Sequence, residues 1–104
     1  MIPEDRLAEA RAYYEGLLGL VPIPRHASER PGLWYACGDL EFHLGSQAGV
    51  PDPTSRAHVA FAVLDLALLR ARIEEADFEV KMAGSNRFHT RDPFGNRLEF
   101  CEWR

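Results

Sequence analysis

A chain of 104 residues has room for one modest hydrophobic core, and its 46% hydrophobic and 27% charged content is that of an ordinary soluble globular domain. Eleven Arg and one Lys stand against sixteen acids, a net charge of −4 at pH 7, scattered without a basic stripe or polybasic run, which argues against nucleic acid and anionic lipid as partners. No apolar run is long enough to span a bilayer and "MIPEDRLAEA" lacks a signal-peptide core, so no membrane partner and a cytoplasmic location are expected.

The first element predicted is a helix. Leu7, Ala10, Tyr14, Leu17 and Leu18 recur at i, i+3, i+7, i+10 and i+11, with Glu4, Asp5 and Glu9 early and Gly19 at the end. Three short strands follow, about Leu20–Pro24, Leu33–Cys37 and Leu40–Leu44, the last two joined by a Gly38-Asp39 hairpin turn. A polar connection, "GSQAGVPDPTSR", runs over 45–56, and a further strand over Ala57–Val63. The second helix carries Leu66, Leu69, Ile73 and Ala76 on one stripe, with Asp65 at the N-cap and Asp77 where glycine often closes a helix. Three more strands are predicted at Phe78–Met82, Arg87–Arg91 and Arg97–Trp103. The last two are joined by Asp92-Pro93-Phe94-Gly95-Asn96, where Pro93 presets φ and Gly95 accepts the positive φ that closes the turn.

The order reads helix-strand-strand-strand, then strand-helix-strand-strand-strand, a degenerate repeat in which "GDLEF" echoes "GNRLEF". The expected organisation is a single domain with module one at 1–45, a linker at 46–56 and module two at 57–104. Module two is a complete βαβββ unit. Module one is expected to lack its opening strand, since only Met1 and Ile2 stand before the helix, and a late start site, a truncation or a true loss would each produce that. Cys37 and Cys101 sit in apolar strands, and two cysteines are too few for a disulfide scaffold, so two buried thiols are expected.

Side chains alternate between the faces of a strand. Val59, Phe61 and Val63 oppose His58, Ala60 and Ala62; Leu40, Phe42 and Leu44 oppose Glu41 and His43; Leu98 and Phe100 oppose Arg97, Glu99 and Cys101. Each strand thus has one bulky apolar face, and the opposite faces hold His43, His58 and Glu99 beside small residues. Such a face is either plain solvated sheet or the lining of a curved sheet around a metal and ligand. Two imidazoles and a carboxylate suit a borderline divalent ion and leave positions open for substrate. His89 and His26 read as exposed histidines. Trp34, Tyr35 and Trp103 read as packing or as pocket wall, and Arg87 and Arg91 as solvated strand-edge residues or as contacts for an anionic substrate.

"YYEGLLGL", then "AHVAFAVLDLALLRARIEEADFEV", then "FHTRDPFGNRLEFCEW" together resemble the vicinal oxygen chelate superfamily, the glyoxalase, bleomycin-resistance and extradiol-dioxygenase group, over nearly the whole chain. The resemblance implies an α+β fold of two βαβββ modules forming a cup-shaped sheet, the first here lacking its opening strand. It also implies a homodimer and a metal-dependent enzyme acting on a small-molecule substrate, with isomerase or lyase, dioxygenase and thiol-transferase chemistry all in range. In metal-dependent members the ligands come from the first strand, the fourth, the strand opening module two and the last. His58 matches the third of these positions and Glu99 the fourth. His43 is chosen for the second, with Glu41 as its rival, and the first has no counterpart in this sequence. The implied cofactor is a divalent ion (Zn, Ni, Mn or Fe) bound by His43, His58 and Glu99, with Glu99 also the catalytic proton shuttle. The alternative implied by the bleomycin-resistance branch is a metal-free protein that binds a small molecule or antibiotic.

Overall fold

The computed structural model describes residues 1–25, 32–47 and 55–103, so that His26 and residues 48–54 of the linker lie outside the described residues. The chain divides into two compact units, Met1–Pro51 and Asp52–Arg104.

In the first unit the sheet order is β1-β4-β3-β2, with β1 at Ile2–Pro3, β2 at Val21–Pro22, β3 at Gly32–Cys37 and β4 at Leu40–Gln47. The opening strand expected to be missing is present as a stub. Ile2 and Pro3 pair in parallel with Ser46 and Gln47, and Ile2 is fully buried. Two residues carry no readable alternation, and only the extension of β4 beyond Leu44 gives them a partner. β3 and β4 form the expected hairpin from Cys37↔Leu40 to Gly32↔Gly45, and Gly38 takes the left-handed turn conformation at φ 60°.

The first helix departs from its predicted stripe. α1 runs over Leu7–Arg11 and then widens into π-helical turns over Ala12–Leu17, with the Leu18 amide donating to the Tyr13 carbonyl at 2.9 Å. An i→i+5 turn holds more residues than an α turn, so the side chains after it are rotated off the original stripe. Tyr13 therefore joins the expected Tyr14 among the buried residues, while Leu17 and Leu18 are only half-buried. Tyr14 stacks near Tyr35 (ring centres 6.2 Å apart) and Phe42 (5.9 Å), and these rings with Leu33 and Leu44 build the core of this unit.

The second unit repeats the topology at full length: β5 at His58–Val63, α2 at Leu66–Glu75, β6 at Lys81–Met82, β7 at Arg87–Arg91 and β8 at Arg97–Glu102, in the sheet order β5-β8-β7-β6. The α2 N-terminus is capped as expected, Asp65 Oδ1 accepting from the Leu68 amide at 3.0 Å. Asp77, two residues beyond α2, holds φ at 68°, the conformation that glycine takes at helix ends without strain. Phe61 and Phe100 stack at 5.5 Å, Phe88 lies 5.4 Å from Phe100, and with Leu98, Phe94 and Ile73 they form this unit's core. Among the described residues no helix is long and apolar enough to cross a membrane.

Candidate metal centre

The site begins with a turn. The Asp92 carboxylate is 4% exposed: its Oδ1 accepts from the Phe94 and Asn96 amides (2.9 and 2.8 Å), and its Oδ2 accepts from Asn96 Nδ2 (2.8 Å). Gly95 supplies φ 93°, and Arg91 Nη1 donates to the Gly95 carbonyl at 2.7 Å. The turn fixes the hairpin register as Arg91↔Arg97, His89↔Glu99 and Arg87↔Cys101. A slip of one residue would drive Glu99 into the buried face beside Phe88. On its other side β8 pairs in parallel with β5, His58↔Arg97 and Ala60↔Glu99. The residue beside Glu99 is the small Ala60, and His58, two pairs along on the same face, reaches the carboxylate.

His58, His89 and Glu99 consequently offer three ligand atoms within 4.8 Å of one another. Glu99 Oε1 lies 2.9 Å from His89 Nε2 and 3.2 Å from His58 Nε2, and the two rings meet edge to face at 5.4 Å. Arg87 Nη1 stands 4.0 Å from Glu99 Oε2. Partial burial of the carboxyl acts to raise its pKa. The hydrogen bond and charge of His89, the hydrogen bond from His58 and the charge of Arg87 together outweigh burial and hold it below the ordinary 4.5.

His58 Nδ1 lies 3.0 Å from the Arg56 carbonyl oxygen. A carbonyl only accepts, so Nδ1 carries the proton and the Nε2 of the neutral ring presents a lone pair. That lone pair faces a carboxylate oxygen, an arrangement that calls for a positive centre between them, either a proton on Nε2 or a cation in its place. A divalent ion fits the donor set. With bonds of about 2.1 Å, tetrahedral ligand atoms stand about 3.4 Å apart, so the two separations from Glu99 Oε1, 2.9 and 3.2 Å, need only a small opening. The carbonyl on Nδ1 is the kind of outer partner that orients a metal-binding imidazole.

Of the residues expected at a metal site, His58 and Glu99 are brought together. His43 lies on β4 in the first unit, where its Nε2 donates to Glu41 Oε1 at 3.0 Å and its ring lies flat on Trp34 (centres 3.8 Å apart, planes 4° off parallel). His89, expected as an exposed histidine, is instead half-buried and bonded to Glu99. The missed signal is the hairpin register: two residues outward from the Arg91↔Arg97 pair on each strand stand His89 and Glu99. Tyr35 belongs to the core, its hydroxyl donating to Glu15 Oε2 at 2.9 Å, while Trp103 is 63% exposed. Cys37 and Cys101 are free and half-buried.

A family model described as the Glyoxalase/Bleomycin resistance protein/Dioxygenase superfamily matches residues 1–100. Among solved structures, a Bacillus anthracis protein described as a glyoxalase family member is 35% identical, with a TM-score of 0.84 over 98% of this chain and 88% of that one. The lactoylglutathione lyase of Agrobacterium tumefaciens is 24% identical, with a TM-score of 0.68 over 98% of this chain and 88% of its own. TnmS3, an antibiotic binding protein from Streptomyces sp. CB03234, is 16% identical, with a TM-score of 0.70 over 99% of this chain and 91% of its own. The last two likenesses show a shared fold, and one fold carries both a lyase and a binding protein. A comparison with curated proteins finds no match.

Proposed function

The chain belongs to the glyoxalase/bleomycin resistance protein/dioxygenase superfamily, and on that premise we propose a metal-dependent enzyme of the vicinal oxygen chelate type acting on a small molecule. The observation that carries the reading is the His58–Glu99 contact, in which Nε2 stands 3.2 Å from a carboxylate oxygen while Nδ1 is committed to a carbonyl. His58, His89 and Glu99 would hold Zn, Ni, Mn or Fe and leave coordination positions for substrate oxygens. When bound, the ion supplies Lewis-acid stabilisation of negative charge on two adjacent substrate oxygens. Glu99 is the group to take up and return a substrate proton, with His89 orienting Oε1 and Arg87 near Oε2. His43 stays a proposed ligand on the strength of the family resemblance alone. Isomerisation, lyase chemistry, thiol transfer and oxygen insertion all suit such an arrangement, and product analysis separates them. The same reading has the protein act as a cytoplasmic homodimer, which fractionation and light scattering would test.

The test is the metal content of protein purified without a histidine tag. Near-stoichiometric metal is expected, lost in Glu99→Ala and His58→Ala. Metal-free protein that also fails to bind added Zn or Ni tightly would sink the proposal. It would favour a second reading, a metal-free protein that binds a small molecule or antibiotic. One observation supports that reading: two imidazoles, if protonated at Nε2, already satisfy Glu99 Oε1 without an ion.

A further inference from the structure

The open face of the second unit's sheet holds an unusual balance of charge. Arg87, His89 and Arg91 alternate onto one face of β7, Arg97 and Glu99 onto the same face of β8, and Lys81 is paired with His89 from β6. Four cationic side chains therefore share that face with a single carboxylate. Beside it lies a cavity of about 450 Å³, in the size range of small-molecule sites, to which His89, Arg56, Arg91, Arg97 and Lys81 all contribute.

The acids that also line this cavity do little to neutralise it. Asp92 is spent on the turn amides and Asn96. Glu79 reaches Lys81 only at 3.9 Å between two largely exposed side chains, and Asp77 stands among the exposed residues. Among the described residues, no carboxylate lies within 4.0 Å of the Arg56, Arg91 or Arg97 guanidinium. Arg91 donates to the Gly95 and Ser55 carbonyls (2.7 and 3.2 Å) and Arg97 to the Arg56 carbonyl (3.3 Å). Those carbonyls fix the arginines in place without cancelling their charge, which is how a preorganised oxyanion site is built.

We propose that this face binds the anionic group of the substrate, a small acid whose carboxylate or phosphonate is held by Arg91 and Arg97 while two adjacent oxygens meet the His58–His89–Glu99 centre. The chelating half rests on the metal-dependent reading above; the anion half does not. Same-face neighbours along a strand stand about 6.6 Å apart, so an acid of a few heavy atoms spans from the arginine pair to the histidine-glutamate pair. Arg56 joins from the segment leading into β5, and its planar fork suits bidentate contact with an oxyanion.

The test titrates metal-free, full-length protein with methylphosphonate and, separately, acetate, following the arginine Nε–H resonances by NMR. Saturable shifts are expected at Arg91 and Arg97, well above any at the helix arginines Arg70 and Arg72. Saturation by methylphosphonate alone assigns a phosphonate, by acetate alone a carboxylate, and both outcomes support the proposal. Arg97→Gln should weaken binding about tenfold, as should Arg56→Gln, an exposed position whose replacement leaves the turn intact. Glu99→Gln, which removes a metal ligand, should keep anion binding or tighten it. No Zn binding by the unaltered protein, with its methylphosphonate binding intact, would overturn only the metal reading. Non-saturating shifts with both probes, or shifts equal to those of Arg70 and Arg72, would overturn this one.

Discussion

In the first unit, Glu41 of "GDLEF" stands opposite Ala36 on one side, and β1 meets β4 only further along, at Ser46 and Gln47. In the second, Glu99 of "GNRLEF" stands opposite His89 on one side and beside the full-length β5 on the other, with His58 in reach. The strand order is the same in both sheets. What differs is what each carboxylate meets across the strands. Among the described residues Glu41 pairs only with its strand neighbour His43, in an exposed contact at 3.0 Å, whereas Glu99 is approached by two imidazoles from two different strands. The same short motif gives a surface hydrogen bond in one sheet and a candidate metal centre in the other, because a ligand set is a property of pairing register rather than of the motif.

The largest expected effect breaks this contrast directly. Alanine at Glu99, His58 or His89 should cost more metal affinity than the roughly 10–100-fold lost with an outer-shell partner, by Zn titration against a competing chelator. His43→Ala should cost less, since its ring is already engaged by Glu41 and Trp34. Equal losses from both units would erase the distinction.

A second prediction concerns what the first unit does with its polar groups, which is to stabilise a core. Tyr35→Phe removes the hydroxyl that donates to Glu15 and should cost about 1 kcal/mol, read by denaturant unfolding. Burial, then the Glu15 hydrogen bond and charge, push the Tyr35 pKa up against the opposing charge of Arg11. The folded state therefore keeps its proton while the unfolded chain releases it above about pH 10, so stability falls as pH rises past that point. Tyr35→Phe should show a shallower alkaline fall; an unchanged slope would contradict the buried hydrogen bond.

The strands were legible because their alternation is strong and because Gly38 and the Asp92–Asn96 turn mark hairpins with their own local chemistry. Asp65 and Asp77 were legible for the same reason, since a cap and a left-handed residue are local events. The β1 stub was not, because two residues hold no period and their pairing depends on a partner 44 residues away. Nor was the π-helical widening, which moves Tyr13 into the core without altering the pattern of residue types. β2 and β6 are shorter than their apolar runs suggest, two residues each. At the site, His58 and Glu99 could be aimed by alternation, whereas His89 needed the register of the turn as well.

A smaller effect sharpens the description of Glu99. Its lowered pKa means the unfolded chain binds this proton at a higher pH than the folded one. The contribution to stability is present above the unfolded value, near 4.5, and is lost as pH falls through the folded one. In metal-free protein, Glu99→Gln should flatten the acid limb of stability against pH, and an unaltered limb would place the histidines away from the carboxylate in solution. The smallest effect lies at the end of α2. Asp77→Gly relieves φ 68°, worth about 1–2 kcal/mol, against about 0.4–1 kcal/mol of added unfolded-chain entropy, so a net gain of about 0.5 kcal/mol is expected, seen as a small increase in Tm.

The central claim is that His58 and His89 present their Nε2 atoms to one cation beside Glu99. Long-range proton–nitrogen NMR of the imidazoles during a Zn titration tests it atom by atom. The expected result is that Nε2 of His58 and His89 moves to metal-bound shifts while His58 Nδ1 keeps its proton toward the Arg56 carbonyl. Unmoved His58 and His89 signals at saturating Zn, or changes confined to His26 and His43, would contradict it.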